Sequence, residues 1–180
     1  LAESNDVWLR AELLFYLGSV AGFSYQFDQM RLFYAQSLTL FEQVGDTSAI
    51  ADLLKDEGGL MILEGRYAQS IKNLVTSIKM SYELGHKQYI TTALGLLGFA
   101  AGLREQPDPE AASLQAARLW GAAESHQNRT GFTPWLKNLS LVQQVILHIK
   151  SRVSEESWND AWQAGKAMNE EQAIALACGL

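Results

Sequence analysis

The fold is decided by a five-residue block that occurs three times, as Leu17-Gly18-Ser19-Val20-Ala21, Glu57-Gly58-Gly59-Leu60-Met61 and Leu97-Gly98-Phe99-Ala100-Ala101. Each block lies 40 residues after the one before it. When the three blocks are aligned, similar residues beside them also recur at an offset of 40, among them Leu13-Leu14 with Leu53-Leu54 and Val44-Gly45 with Leu84-Gly85. A fixed offset over so many columns is an internal repeat, and a period of roughly 20–50 residues predicts a repeat architecture. Such arrays present surfaces to partners.

Each 40-residue unit is predicted to form two helices joined by a short break. In the first unit, apolar residues recur at helical spacing on both sides of Ser24-Tyr25-Gln26. The second helix should stop at Gly45, because glycine accepts the positive φ of a helix C-cap without cost. Asp46 then supplies the N-cap of the next helix. The second unit repeats this pattern, with a break at Glu64-Gly65-Arg66 and a stop at Gly85.

The start of the chain is expected to be the end of a helix, because Asn5-Asp6 aligns with Gly45-Asp46. The chain also lacks an initiating Met. We therefore expect it to be a piece of a longer protein.

The period slips in the third unit. Its first helix should run from about Lys87 to Leu103, and a loop with two of the three prolines follows. We expect an insertion near residues 105–113, with Pro109 in the first turn of the next helix, where its missing N–H is not needed.

The pattern changes again at about residue 131, where a tryptophan-rich set of helices is predicted. Thr133 and Ser154 are expected N-caps, and Asn169-x-x-Gln172 has the capping-box pattern. Gly165 is expected to end a helix. Most of the tryptophans fall on apolar helix faces, which indicates packing of a C-terminal cap: Trp120, Trp135, Trp158 and Trp162.

The composition is that of a folded acidic protein, with 48% hydrophobic and 19% charged residues and a net charge of −6. It offers no general basic surface for nucleic acid or anionic lipid. A single cysteine, Cys178, excludes an intrachain disulfide and fits a reducing, cytoplasmic compartment. The most apolar run, Tyr89 to Leu103, is shorter than the ~20 residues of a membrane-spanning helix. It is predicted to be a buried helix, so we expect no membrane association.

Motifs for catalysis or metal binding are weak. Glu83-x-x-His86 has the spacing of a di-metal motif, but Gly85 interrupts it and no second copy occurs. Gly-x-Ser-x-Gly, Walker-type and Gly-x-Gly-x-x-Gly patterns are absent from the sequence. We expect no catalytic residue, no metal and no cofactor.

Leu17-Gly18-x-x-Ala21 with Phe27, and Gly58-x-x-Met61 with Tyr67, resemble tetratricopeptide (TPR) repeats. The period of 40 exceeds the usual 34, and Gly-Asp or Gly-His replaces the repeat-closing proline. This is similar to a longer variant found in bacterial signalling proteins. HEAT-type repeats of comparable length remain an alternative.

The C-terminal half resembles the end of large bacterial regulators, through the segment 116–124 and through Trp158-x-x-Ala161-Trp162-x-x-Gly165-x-x-Met168. In that family the array follows a signal-transduction ATPase module. The effector partner is a LuxR-type or other DNA-binding domain, a kinase or a nucleotide cyclase. The resemblance implies a sensor or coupling segment of a transcriptional regulator, without direct nucleic-acid binding.

These patterns together predict an all-α protein of about nine helices. We expect a TPR-like solenoid of antiparallel helix pairs in a right-handed superhelix, over residues 1–130, and capping helices over residues 131–180. The repeated glycines should let the two helices of each unit approach closely. Glycine inside a helix costs about 1 kcal/mol against alanine, so packing should compensate.

A partner-binding groove is predicted on the concave face, which the first helix of each unit lines in TPR-like arrays. The predicted lining consists of the residue after the repeated glycine and of positions one turn to either side of it: Glu12, Phe15, Ser19, Asp52, Lys55, Ile62, Thr92 and Phe99. These columns vary between units, as recognition of different partners requires.

Two functions are open at this point. The first is a non-catalytic segment that binds a protein, a peptide or another copy of itself. The second is a sensor that binds a small-molecule effector in the groove.

Overall fold

The computed structural model describes residues 2–131 and 140–180, with the side chains of residues 5–131 and 142–180. Over these ranges the chain is all-α, with nine helices and no strand: α1 (Ala2–Phe23), α2 (Phe27–Val44), α3 (Thr47–Leu63), α4 (Tyr67–Leu84), α5 (Lys87–Leu103), α6 (Pro109–Thr130), α7 (Ser140–Lys150), α8 (Glu155–Lys166) and α9 (Glu170–Cys178). Consecutive helices pack in pairs, α1 with α2, α3 with α4 and α5 with α6. The all-α helical-repeat fold is confirmed, whereas the right-handed superhelix stays a prediction.

The repeated glycines lie where the two helices of a pair meet. A Cβ on Gly18 would lie 2.4 Å from the Tyr34 ring, and one on Gly58 would lie 2.8 Å from Leu74. In both pairs the glycine contacts the residue 16 positions further on, so the packing repeats along with the sequence. The close approach predicted from the glycine spacing is therefore present.

The third pair keeps this contact over a longer loop. A Cβ on Gly98 would lie 2.4 Å from the indole nitrogen of Trp120, which is 22 positions further on. The loop between Leu103 and Pro109 is two residues longer than the corresponding loops, close to the predicted insertion, and the contact also lies about one turn further along the second helix. Pro109 is in the first turn of α6, as expected, and the Asp108 side chain caps that helix.

The helix ends follow the predicted chemistry. Gly45 and Gly85 are left-handed C-caps, with φ of 73° and 72°. The Asp46 side chain accepts a hydrogen bond from the Ala49 backbone N–H at 2.9 Å. Asn169 and Gln172 form the capping box that opens α9.

Hydrogen bonds between helices also recur at the repeat offset. The Ser37 hydroxyl donates to the Ala11 carbonyl at 2.7 Å, and the Ser77 hydroxyl donates to the Ala51 carbonyl at 2.7 Å. All four residues are buried. Since a buried hydroxyl without a partner costs free energy, these bonds help to fix how the helices of each pair are aligned.

Two sequence expectations are wrong. Residues 2–23 form one continuous helix, so Asn5-Asp6 is not a helix boundary. Gly165 does not end α8, which runs through it to Lys166. Gly165 instead crosses Gly121 of α6. A Cβ on Gly121 would lie 2.1 Å from the Trp162 carbonyl oxygen, so the two backbones are in contact.

The C-terminal helices pack on α6. Trp158 packs between Trp120 and Trp162, with tilted rings whose centroids are 5.9 and 6.1 Å away. The Trp162 indole donates to the Glu124 carboxylate at 2.7 Å. α8 lies along α6 as closely as the paired helices lie along each other. The predicted division at residues 130 and 131 stays a prediction.

Thr133, a predicted N-cap, and Trp135, a predicted core residue, lie outside the described residues.

None of the described helices combines the length and the apolar character needed to cross a membrane.

Candidate functional site

The predicted groove residues occupy several environments on α1, α3 and α5. Phe15 is 8% exposed and packs on Tyr34, so it belongs to the core of the first pair. Ile62 packs against the α4–α5 core, and Phe99 packs on Trp120 with ring centroids 4.8 Å apart. Glu12 and Thr92 are half-buried, and the Thr92 hydroxyl donates to the Gln88 carbonyl. Partner binding by these residues stays a prediction.

A polar cluster joins two of the predicted positions, and a third lies in a separate hydrogen bond. Lys55 forms ion pairs with Asp52 and with Asp56, the latter at 3.1 Å, and its ammonium lies 4.6 Å from the centroid of the Tyr89 ring. Ser19 lies on α1, and its hydroxyl is 2.9 Å from that of Tyr34. The structure thus brings Asp52 and Lys55 together and completes the cluster with Asp56 and Tyr89, which sequence reasoning missed.

Burial governs the electrostatics of this cluster. Burial raises the pKa of the Asp56 carboxyl, although Lys55 opposes the shift. Burial disfavours the Lys55 ammonium, but Asp56 and Asp52 more than offset it and hold the pKa of Lys55 above its usual value. Burial also raises the pKa of Tyr34 and of Tyr89, with nearby carboxylates adding to it. The Lys55 charge is therefore neutralised within the protein.

A second surface lies on α1, on the side that faces away from α2. It is a stripe of large apolar side chains that are each 40–63% exposed: Leu9, Leu13, Tyr16, Leu17, Val20 and Phe23. Their spacing of three and four residues places them on one helix face. We call this set the α1 stripe. Contiguous exposed apolar surface of this extent marks interaction sites in soluble proteins.

The repeat shows how the equivalent positions are used elsewhere in the chain. Leu13 and Val20 are 59% and 63% exposed, whereas Leu53 and Leu60, 40 residues on, are 1% and 5% exposed. Leu53 and Leu60 belong to the core formed with α1 and α2, where Leu60 reaches Gly22. The same face is therefore covered by a helix pair in the second repeat and open in the first.

The sequence carried a signal for the α1 stripe that the groove prediction did not use. α1 is apolar on two faces, since Ala11, Phe15 and Ala21 pack inward while Leu13 and Val20 point outward. A helix that is apolar on both faces is typical of one covered from both sides.

A buried histidine network links α5, α6 and α9. His126 is fully buried, with Nδ1 2.6 Å from the Thr91 hydroxyl and Nε2 2.9 Å from the Glu170 carboxylate. Burial lowers the pKa of His126, and Glu170 opposes the shift. A hydroxyl, an imidazole and a carboxylate in this order resemble the triad of a hydrolase. The Thr91 hydroxyl group cannot reach a substrate, however, because Thr91 is only 1% exposed. The network therefore holds α9 in place.

No group of three or more histidine, cysteine or acidic side chains within residues 2–131 and 140–180 is arranged to hold a metal ion.

The fold and these surfaces define an all-α helical-repeat protein with an uncovered apolar face on its first helix. In comparisons with protein-family models, with curated proteins and with solved structures, nothing matched this chain.

Proposed function

We propose that this chain is a non-catalytic protein-interaction segment of a larger bacterial cytoplasmic regulator. The α1 stripe carries the proposal, because six large apolar side chains are exposed to solvent, and the second-repeat counterparts of two of them, Leu53 and Leu60, are buried. Burying apolar surface is the main driving force of protein association. The α1 stripe therefore offers a partner an apolar helix face to bury.

The regulatory role rests on the resemblance to the C-terminal region of bacterial signal-transduction ATPase and LuxR-type regulators. In this role the segment couples a signal to an effector module and takes part in transcription regulation without contacting DNA itself. The net charge of −6 is consistent with a protein partner.

Partner capture from the source cytoplasm tests the proposal. The chain is immobilised beside the Leu13→Glu/Val20→Glu variant and beside Leu32→Glu, an α2 variant whose leucine is 56% exposed outside the stripe. Proteins bound by the wild type and by Leu32→Glu, but lost from the stripe variant, are the expected result. Equal capture by all three chains would refute the role of the stripe.

A small-molecule sensor is the second candidate, and the polar cluster around Lys55 favours it. Two carboxylates, an ammonium and the Tyr89 ring converge between α3 and α5. A thermal-shift screen with metabolites distinguishes the two candidates, because a ligand that binds only the folded state raises the melting temperature. A shift that disappears in Lys55→Ala would support the sensor, and no shift at millimolar concentrations would reject it.

A further inference from the structure

The α1 stripe has the geometry of a surface that pairs with itself. Leu9, Leu13, Tyr16, Val20 and Phe23 are separated by alternating steps of four and three residues, a mean of 3.5. This is the period at which two helices pack side chains into each other along a shared seam. The spacing of these apolar side chains is nearly the same when α1 is followed from either end. Two antiparallel copies therefore bring their apolar side chains together when the symmetry axis passes near Tyr16.

The charge pattern permits this pairing. No charged residue occurs from Leu13 to Phe27, so the centre of a paired seam is apolar on both sides. The nearest charges are Arg10 and Glu12, at one end of the stripe. In an antiparallel pair centred on Tyr16, Glu12 and its counterpart are about 12 Å apart along the axis, at a rise of ~1.5 Å per residue. That separation exceeds the screening length of ~10 Å.

The area is adequate for a specific contact. Six side chains that are 40–63% exposed present roughly 700 Å² per copy, near the ~800 Å² that each partner contributes to a standard interface. The stripe lies on a long helix that α2 supports along its length, so association does not first have to order it.

We propose that two copies of this chain pair through the α1 stripe, as antiparallel α1 helices related by a two-fold axis near Tyr16. Leu9 then lies opposite Phe23 of the second copy, and Leu13 lies within one residue of the position opposite Val20. The proposal rests on the protein-interaction function and names its partner as a second copy of the chain.

Sedimentation equilibrium from about 1 to 200 µM tests the pairing. We expect the wild type and Leu32→Glu to reach twice the chain mass of 19.9 kDa. Leu13→Glu/Val20→Glu should stay monomeric with an unchanged circular dichroism spectrum, because both side chains are exposed. A wild type that is monomeric at 200 µM would overturn the proposal, and so would a dimer that survives the stripe substitutions.

Cysteine cross-linking tests the antiparallel arrangement in a Cys178→Ser background. Leu9→Cys mixed with Phe23→Cys should form a disulfide-linked dimer, whereas Leu9→Cys alone should not. The reverse outcome would show a parallel seam and overturn the antiparallel arrangement. A monomeric chain whose stripe still captures a different protein would overturn self-pairing and leave the proposed function standing, so the two failures are distinguishable.

Discussion

The crossing of α6 and α8 makes one substitution a sharp test of the packing. Gly121→Ala adds a single methyl group, which would lie 2.1 Å from the Trp162 carbonyl oxygen and 3.0 Å from the Lys166 backbone nitrogen. Both neighbours are backbone atoms, so the strain can be relieved only if α8 moves. Overpacking of this kind costs about 1–3 kcal/mol, and more where backbone must shift. Replacing glycine by alanine inside a helix also stabilises the folded state by about 0.5–1 kcal/mol, because alanine has the higher helix propensity.

The net effect expected for Gly121→Ala is a loss of at least about 1 kcal/mol. For a chain of this length that lowers the melting temperature by at least roughly 2–4 °C, since 1 kcal/mol corresponds to about 2–4 °C. Gly95→Ala is the matched control, because Gly95 is inside α5 and a Cβ there meets no atom within 4 Å. It should raise the melting temperature by roughly 1–3 °C.

Thermal unfolding followed by circular dichroism measures both changes. Gly165→Ala meets the Arg118 carbonyl oxygen at 2.1 Å and should behave like Gly121→Ala. The double variant Gly121→Ala/Gly165→Ala should lose less stability than the two single variants lose together, because one displacement of α8 accommodates both methyl groups. A Gly121→Ala melting temperature at or above that of the wild type would refute the backbone contact.

Three further predictions concern single positions. Gly58→Leu should lower the melting temperature by several degrees, because its side chain would overlap Leu74; an unchanged value would show that the glycine is not a packing contact. Tyr25→Gly should stabilise the chain by about 1 kcal/mol in urea unfolding, because Tyr25 has φ of 60° where the next repeat places Gly65; a loss would contradict strain there. The folded state favours neutral His126, so stability should fall as pH drops below about 6.5, where the unfolded chain takes up the proton. That slope should flatten in His126→Gln, and an identical slope in unfolding measurements from pH 7.5 to 5.5 would reject this origin.

The repeat made the fold predictable because its signals are local. Gly45 and Gly85 end their helices through their own backbone conformation, and Asp46 caps through a bond to a residue three positions away. The 40-residue offset then fixed the pairing of helices, since short loops leave few other arrangements.

Long-range contacts account for what the sequence alone could not predict. Gly165 looked like a helix stop because the sequence does not show that α6 presents Gly121 opposite it. Phe15 and Phe99 were predicted to line a groove from register alone, and the sequence does not show that they pack on Tyr34 and Trp120. Partner binding at these positions stays a prediction. In the first and third pairs a large side chain of the second helix packs on a predicted groove position, and the repeat does not conserve the size of that side chain.

The same column of the repeat thus serves two purposes. Leu53 and Leu13 are both leucines in equivalent positions, but Leu53 stabilises the stack of helix pairs while Leu13 is left exposed on α1. The repeated serine bonds, Ser37 to Ala11 and Ser77 to Ala51, keep the geometry of the pairs the same. What differs is only whether another helix pair lies against the first helix. A surface already shaped to receive helices therefore needs no new chemistry to become a recognition site, and this is the physical basis for assigning an interaction function to the α1 stripe.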